Sequence, residues 1–567
     1  MKKLIARWIA AALTLALLVS TAPGTAWAAS YDATKIDPAF LSQVLADQTG
    51  SFDVIVRSTP STPKEQTKDR VSRAADAVAR ANGKAKHALG IVGGASATLK
   101  GVQVLKLTRD ADVDYVVKDA AVNAHFDPLT GSAAAGTPGI LEVNAPQVWS
   151  QLGLTGRGIG VAVVDSGVFA HPDLATRVVA SIDFTSATPT VSPTPLGDAG
   201  GHGTHVAGLV AGDGTLSSGL YTGVAPNANI ISVRVIDSTG ASNISTVLRG
   251  LQWILANRAT YNIRVVNLSL GATPAGSYKS DVLATAAEVL TFAGMAVVVA
   301  AGNTGPGAST ITTPGTDPYV ITVGGIDDNQ TATLGDDRMA TWSSRGPTAF
   351  DGLAKPDLVA PGRKMVSLLS PGSTLDRLFP EREVTATGAT SASYFMLSGT
   401  SMAAPVVAGT IALMLERNPS LTPAQIKRRL KSTATPLAFG TIFDRGAGMV
   451  NAYAAASSVD NGKDVAAGRV TNAFASDMRR YIQGQPIAWR DLGYNNGVDS
   501  RGQKWSDITW EGITWDGVTW DNVTWEAFLW SEISFNDITW EDITWESTDQ
   551  LSTGALSGTT SGWDPVN

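Results

Sequence analysis

The chain has 567 residues, of which 44% are apolar and 16% charged, so it is too long for one ordinary domain and too apolar for a disordered chain. Its net charge of −7 is uneven: twelve Asp or Glu and no Lys or Arg occur from Trp505 onwards, which leaves the rest at about +5 (−7 + 12), and nothing argues for a nucleic-acid partner. No cysteine is present, which excludes disulfides and thiol catalysis and leaves stability to the core, to ions, or to both.

Residues 1–28 read as a signal peptide. Lys2, Lys3 and Arg7 precede an apolar run from Ile9 to Val19, and Ala26-Trp27-Ala28 supplies a small-x-small cleavage site. That run is shorter than the roughly 20 residues of a spanning helix, although an uncleaved anchor is the alternative. No other stretch is long and apolar enough to span, so the mature form is expected to be secreted, without a transmembrane segment. Residues 29–126 form a small α+β module, either a pro-segment or an N-terminal domain. Within it, Phe52 to Arg57 reads as a strand, Lys64 to Asn82 as a helix and Gly101 to Thr108 as a strand. A short helix and a strand are expected over Asp110 to His125. A linker at 127–139 contains Gly131-Ser132-Ala133-Ala134-Ala135-Gly136.

From residue 140 to 456 strands and helices alternate. Gly158 to Val164, Ile230 to Ile236, Ile263 to Leu268, Met295 to Ala301 and Tyr319 to Gly324 are continuous apolar runs of the kind buried in parallel sheets. Ile244 to Ala256 and Ser280 to Ala293 have helical patterns. The unit is expected to be a doubly wound α/β domain with a mainly parallel sheet, whose chemistry gathers where strands end and helices begin.

Three such junctions carry reactive groups. Asp165 ends the first strand, His202 lies in Gly201-His202-Gly203-Thr204-His205-Val206-Ala207-Gly208, and Ser401 lies in Gly399-Thr400-Ser401-Met402-Ala403-Ala404-Pro405. Each alone could be a turn or cap residue. Together they supply what a serine nucleophile needs: an imidazole base, and a carboxylate that fixes its tautomer. In that order the three motifs resemble those of the subtilisin-like serine peptidases, the subtilases. The resemblance covers roughly residues 140–456. It implies a serine endopeptidase acting through an acyl-enzyme, with Asp165 orienting, His202 as base then acid, and Ser401 as nucleophile.

The same resemblance implies further residues. Asn303, in Ala300-Ala301-Gly302-Asn303, matches the oxyanion-hole asparagine; a left-handed turn residue is the alternative. Ser269-Leu270-Gly271 resembles the edge that pairs with an extended substrate, and Ser238-Thr239-Gly240 the opposing edge. Small walls near Ala300 to Gly302 suggest a roomy apolar first pocket. His205, three residues after His202, has metal-ligand spacing but is structural by the resemblance. No cofactor is implied for catalysis. Asp173 matches a position that often binds calcium in subtilases, which makes structural calcium an expectation at that residue. The loop that would complete that site, Gly212 to Gly219, does not match, and a solvent-facing turn is the alternative. Val113 to Phe126 resembles the end of a subtilase pro-segment, implying an intramolecular inhibitor and folding chaperone released by a cut near His125 or Phe126. The expected partners are therefore protein and peptide substrates and the chain's own pro-segment.

Residues 457–504 are a second linker. At 505–546 tryptophan recurs at 505, 510, 515, 520, 525, 530, 540 and 545, with Phe535 in the gap. A five-residue step scatters side chains around a helix and alternates them across a strand. The repeat itself is therefore the unit, of form acidic-x-Ile/Val-Thr-Trp. Either it packs on itself as a stabilising extension, or it contacts a cell surface, a glycan or a protein partner. Residues 547–567 are Gly- and Ser-rich and read as disordered. Two rivals remain: an esterase with the same triad, disfavoured because no Gly-x-Ser-x-Gly surrounds Ser401, and a silent binding protein that uses the tryptophan repeat.

Overall fold

The computed structural model describes residues 31–59, 67–124, 138–462 and 464. The expected signal peptide, most of both expected linkers, the tryptophan repeats and the C-terminal tail lie outside these residues.

The first unit begins with helix α1 (Pro38–Ala46), capped by Asp37, whose carboxylate accepts from the Phe40 amide. Strand β1 (Ser51–Ser58), helix α2 (Thr67–Arg80), strands β2 (Ala85–Leu89) and β3 (Gly94–Lys100), helix α3 (Gly101–Thr108) and strand β4 (Val113–Lys118) follow. They form a four-stranded sheet in the order β2-β3-β1-β4. Two expectations are overturned here. Gly101 to Thr108 is a helix, because its buried residues Val104, Leu105, Leu107 and Thr108 follow a helical rather than an alternating spacing. The strand expected there is Gly94–Lys100 instead, whose Gly, Ala and Ser content hid it. Asp110 to His125 holds no helix among its described residues; β4 is followed directly by strand β5 (Ala121–Ala124).

The large unit opens with helix α4 (Pro138–Glu142) and is built on an eight-stranded sheet. Its strands are β6 (Gly160–Asp165), β7 (Val178–Asp183), β8 (Asn229–Arg234), β10 (Ile263–Leu268), β12 (Ala296–Ala300), β13 (Ile321–Asp327), β14 (Arg338–Met339) and β15 (Leu358–Pro361). The spatial order is β14-β13-β12-β10-β6-β8-β7, with β15 also on β13, and only the β13–β14 pair is antiparallel. Two short strands, β9 (Ala241–Asn243) and β11 (Leu270–Gly271), stand outside it.

Alternation along each central strand feeds two cores. On β6, Val161 and Val163 join one and Ala162 and Val164 the other; on β12, Val298 and Val299 divide in the same way. Helices α5 (His202–Ala211) and α8 (Thr400–Arg417) cover the first face. Helices α6 (Ile244–Asn257) and α7 (Val282–Phe292) cover the second. Both-face burial explains why these strands are uninterrupted apolar runs. Ile55, Leu89, Ile91, Val92 and Val122 of the first unit belong to the second core, so the two units share one apolar interface.

Candidate active site

β6 places Asp165 at its carboxyl end, fully buried. Its Oδ1 accepts from the Ser166 amide at 2.7 Å and meets His202 Nδ1 at 2.8 Å. Facing a carboxylate, Nδ1 carries the proton, which leaves Nε2 as the basic nitrogen. His202 is the first residue of α5, behind Gly201 in a left-handed conformation. α5 starts close to β6: a Cβ on Gly203 would come within 2.2 Å of the Gly167 carbonyl oxygen.

Ser401 sits in the first turn of α8, which packs against α5. Its Oγ donates to the Ser269 carbonyl at 2.9 Å, while Ser269 Oγ donates to the Ser401 carbonyl at 2.9 Å. The second bond has a local cause. In an uninterrupted helix the Ser401 carbonyl would accept from residue 405, but Pro405 has no N–H. The Ser269 hydroxyl takes that place.

Asn303 is fixed from the same helix. Its Oδ1 accepts from the Thr400 amide at 3.0 Å and from Thr400 Oγ1 at 2.9 Å. That assigns the amide orientation and turns Nδ2 the other way, where it is buried with no hydrogen-bond partner among the described residues. Gly302, at φ +109°, makes the bend that brings Asn303 to α8, and its amide donates to Thr400 Oγ1 at 3.1 Å.

The two edge segments lie on either side of β5. Leu270 pairs with Ala124 and Gly271 with Asn123, while Ala241, Ser242 and Asn243 pair with Asn123, Val122 and Ala121. Gly240 contributes its carbonyl to the Ala124 amide at 3.3 Å. Ser238 and Thr239 belong instead to a turn in which the Asp237 carboxylate accepts from Thr239 and Ala241. β5 is thus the middle strand of an antiparallel ribbon made by both units.

β11 thus joins β5 at one side, and the residue just ahead of it, Ser269, accepts from the Ser401 hydroxyl. A family model described as the subtilase family matches residues 156–450. The chain belongs to the subtilase family. It is a subtilisin-like serine endopeptidase, and known relatives share this framework. It is 42% identical to serine protease AprX of Bacillus subtilis (strain 168) over 304 residues, 53% of this chain and 66% of that protein. Subtilisin E of the same organism is 36% identical over 385 residues, 67% of this subtilase and 85% of the relative. Fervidolysin from Fervidobacterium pennivorans, described as a keratinolytic enzyme related to subtilisin, aligns with a TM-score of 0.55 at 25% identity, covering 72% of this chain and 61% of that one.

The other predicted residues divide. His205 is fully buried, its Nε2 lies 3.0 Å from the Met365 carbonyl, and burial holds its pKa down to about 3. It is a neutral structural group in this subtilase. Asp173 does not fit a calcium ion. It is fully buried, and its oxygens accept from the Leu216 amide at 2.9 Å and the Tyr394 hydroxyl at 2.5 Å. Donors stand where a hard cation would need oxygen ligands, and no cluster of three or more acidic or His residues that could hold a metal occurs among the described residues. The sequence reading missed Asp198, a buried carboxylate four residues before His202. Its position just ahead of a helix start was the available signal.

Proposed function

We propose that this endopeptidase is exported as a zymogen, cuts its own chain just beyond β5, and then hydrolyses proteins and peptides through an acyl-enzyme. The observation that carries the reading is β5 between β9 and β11: the first unit presents an extended backbone to the groove beside Ser401. A pro-segment that fills the groove in this way is both the inhibitor and the first substrate. Reading by backbone ladder fits broad specificity, because the pairing ignores side chains.

In this mechanism the Ser401 hydroxyl leaves the Ser269 carbonyl and gives its proton to His202 Nε2 as Oγ attacks the scissile carbonyl. Asp165 stabilises the imidazolium. Asn303 Nδ2 and the Ser401 amide receive the oxyanion, at the N-terminus of an 18-residue helix whose dipole favours that charge. His202 then protonates the leaving amine, and water repeats the sequence on the acyl-enzyme.

The test is to express the chain from Ala29 as wild type and as Ser401→Ala and to sequence the N-terminus of each purified product. Wild type is expected to lose its first unit by a cut near His125 or Phe126, while Ser401→Ala keeps it. Two full-length products would overturn self-processing; two cut products would assign the cut to another protease.

A further inference from the structure

We propose that Asp198 is a positioning residue for the Asp165–His202 pair, acting as a buried relay between the loop after β6 and the first turn of α5. The proposal rests on the triad reading above and extends it to a residue outside the triad.

Asp198 is 5% exposed and its carboxylate accepts five hydrogen bonds. Oδ1 takes Ser166 Oγ at 2.8 Å, the Gly201 amide at 2.8 Å and the Gly200 amide at 3.1 Å. Oδ2 takes the Thr204 amide at 2.8 Å and Thr204 Oγ1 at 2.7 Å. Two of these donors are themselves relays. Ser166 Oγ accepts from the Gly203 amide at 2.9 Å, and Thr204 Oγ1 accepts from the Phe169 amide at 2.9 Å. The residue that follows Asp165 is therefore bound to the residue that follows His202, and Ser166 and Thr204 are both bound to Asp198.

The chemistry of these groups explains why a carboxylate stands there. The first amides of a helix have no acceptor within it, and a negative charge at that end is favoured. An ionised carboxylate is acceptor-only, so it can satisfy five donors at once. An asparagine would turn an NH₂ group against some of those same donors, and Ala would leave them buried without acceptors. The Asp198 carboxylate bonds neither Asp165 nor His202 among the described residues; it sets where their neighbours sit. A sub-ångström change in that spacing alters the 2.8 Å contact between carboxylate and imidazole, and displacements of about 1 Å cost on the order of 10²-fold in rate.

The experiment compares full-chain enzyme carrying Asp198→Asn, Ser166→Ala, Ser166→Thr, or Asp198→Asn with Ser166→Ala. Active molecules are counted by titration with a serine-directed phosphonylating reagent, and kcat and KM are measured on one peptide. Asp198→Asn is expected to lower kcat by about 10²-fold and to move KM by less than about threefold. Ser166→Ala is expected to lower kcat by about tenfold, Ser166→Thr to restore it, and the double variant to be no slower than Asp198→Asn alone. Wild-type kcat per titrated site in Asp198→Asn or in Ser166→Ala overturns the proposal, as does full additivity of the two. Should Asp198→Asn not fold, the Ser166→Ala and Ser166→Thr pair decides by itself. Failure of the triad reading would look different, with Ser401→Ala as active as the wild type.

Discussion

Asn303 shows how much a single side chain depends on its orientation. Without Thr400, either end of the amide could face the groove; with both Thr400 donors on Oδ1, only Nδ2 can. Asn303→Ala is expected to lower kcat by about 10²–10³-fold, the magnitude known for such a donor in subtilisin, with KM little changed. Steady-state kinetics per titrated serine check this. Thr400→Val should produce part of the same loss, since it removes one of the two donors that orient the amide. An unchanged kcat in Asn303→Ala would remove it from the mechanism. Here the residue type was legible in sequence from its place after Ala-Ala-Gly, but its orientation was not, because Thr400 lies 97 residues away.

At the scale of elements, helix α8 begins with a bond borrowed from elsewhere. Pro405 withholds the donor for the Ser401 carbonyl, and Ser269, at the junction of β10 and β11, replaces it. Ser269→Ala should therefore leave a buried carbonyl unsatisfied and destabilise the fold by about 1–3 kcal/mol. Adding Pro405→Ala returns an N–H at the helical position, so the double variant should recover much of that loss. Denaturant unfolding of the single and double variants measures it; no recovery would mean that the carbonyl finds another donor. The elements that were misread from sequence have an equally local cause. In α3, Val102, Val104, Leu105 and Leu107 fit a strand as easily as a helix over so few residues. What decides is tertiary: the Gln103 side chain caps the Lys100 amide and bonds the Ala81 and Asn82 carbonyls, which fixes a helix start.

Over the whole molecule, the fold was legible because both faces of the sheet are covered, and continuous apolar strands announce that in any sequence. The three reactive junctions were legible for the same reason, as strand ends and helix starts. The surroundings of Asp173 were not, since Tyr394 reaches it from 221 residues away. Global stability should fall in acid. His205 stays neutral in the fold down to about pH 3, whereas an unfolded histidine takes its proton near pH 6.5. Between those values the unfolded chain binds the extra proton, so stability present above about pH 6.5 is lost progressively as pH falls. The loss from this residue is on the order of 4 kcal/mol by about pH 3. Unfolding free energies measured from pH 7 to pH 4 should show it; a flat profile would mean that His205 takes its proton in the fold as readily as in the unfolded chain, with an anion or acceptor facing it.

The ribbon shared by the two units also separates two events that activity assays tend to merge. Under the self-processing proposed above, a cut beyond β5 would leave the strand held on both sides by its backbone ladder and by Val122, which is fully buried. Breaking the covalent link removes none of those contacts. On that proposal latency would end at departure of the strand rather than at the cut, and the interval between them would be a clock set by the off-rate of the first unit. Dilution, or a substrate that competes for the same backbone positions, leaves that off-rate unchanged and acts only by preventing the strand's return.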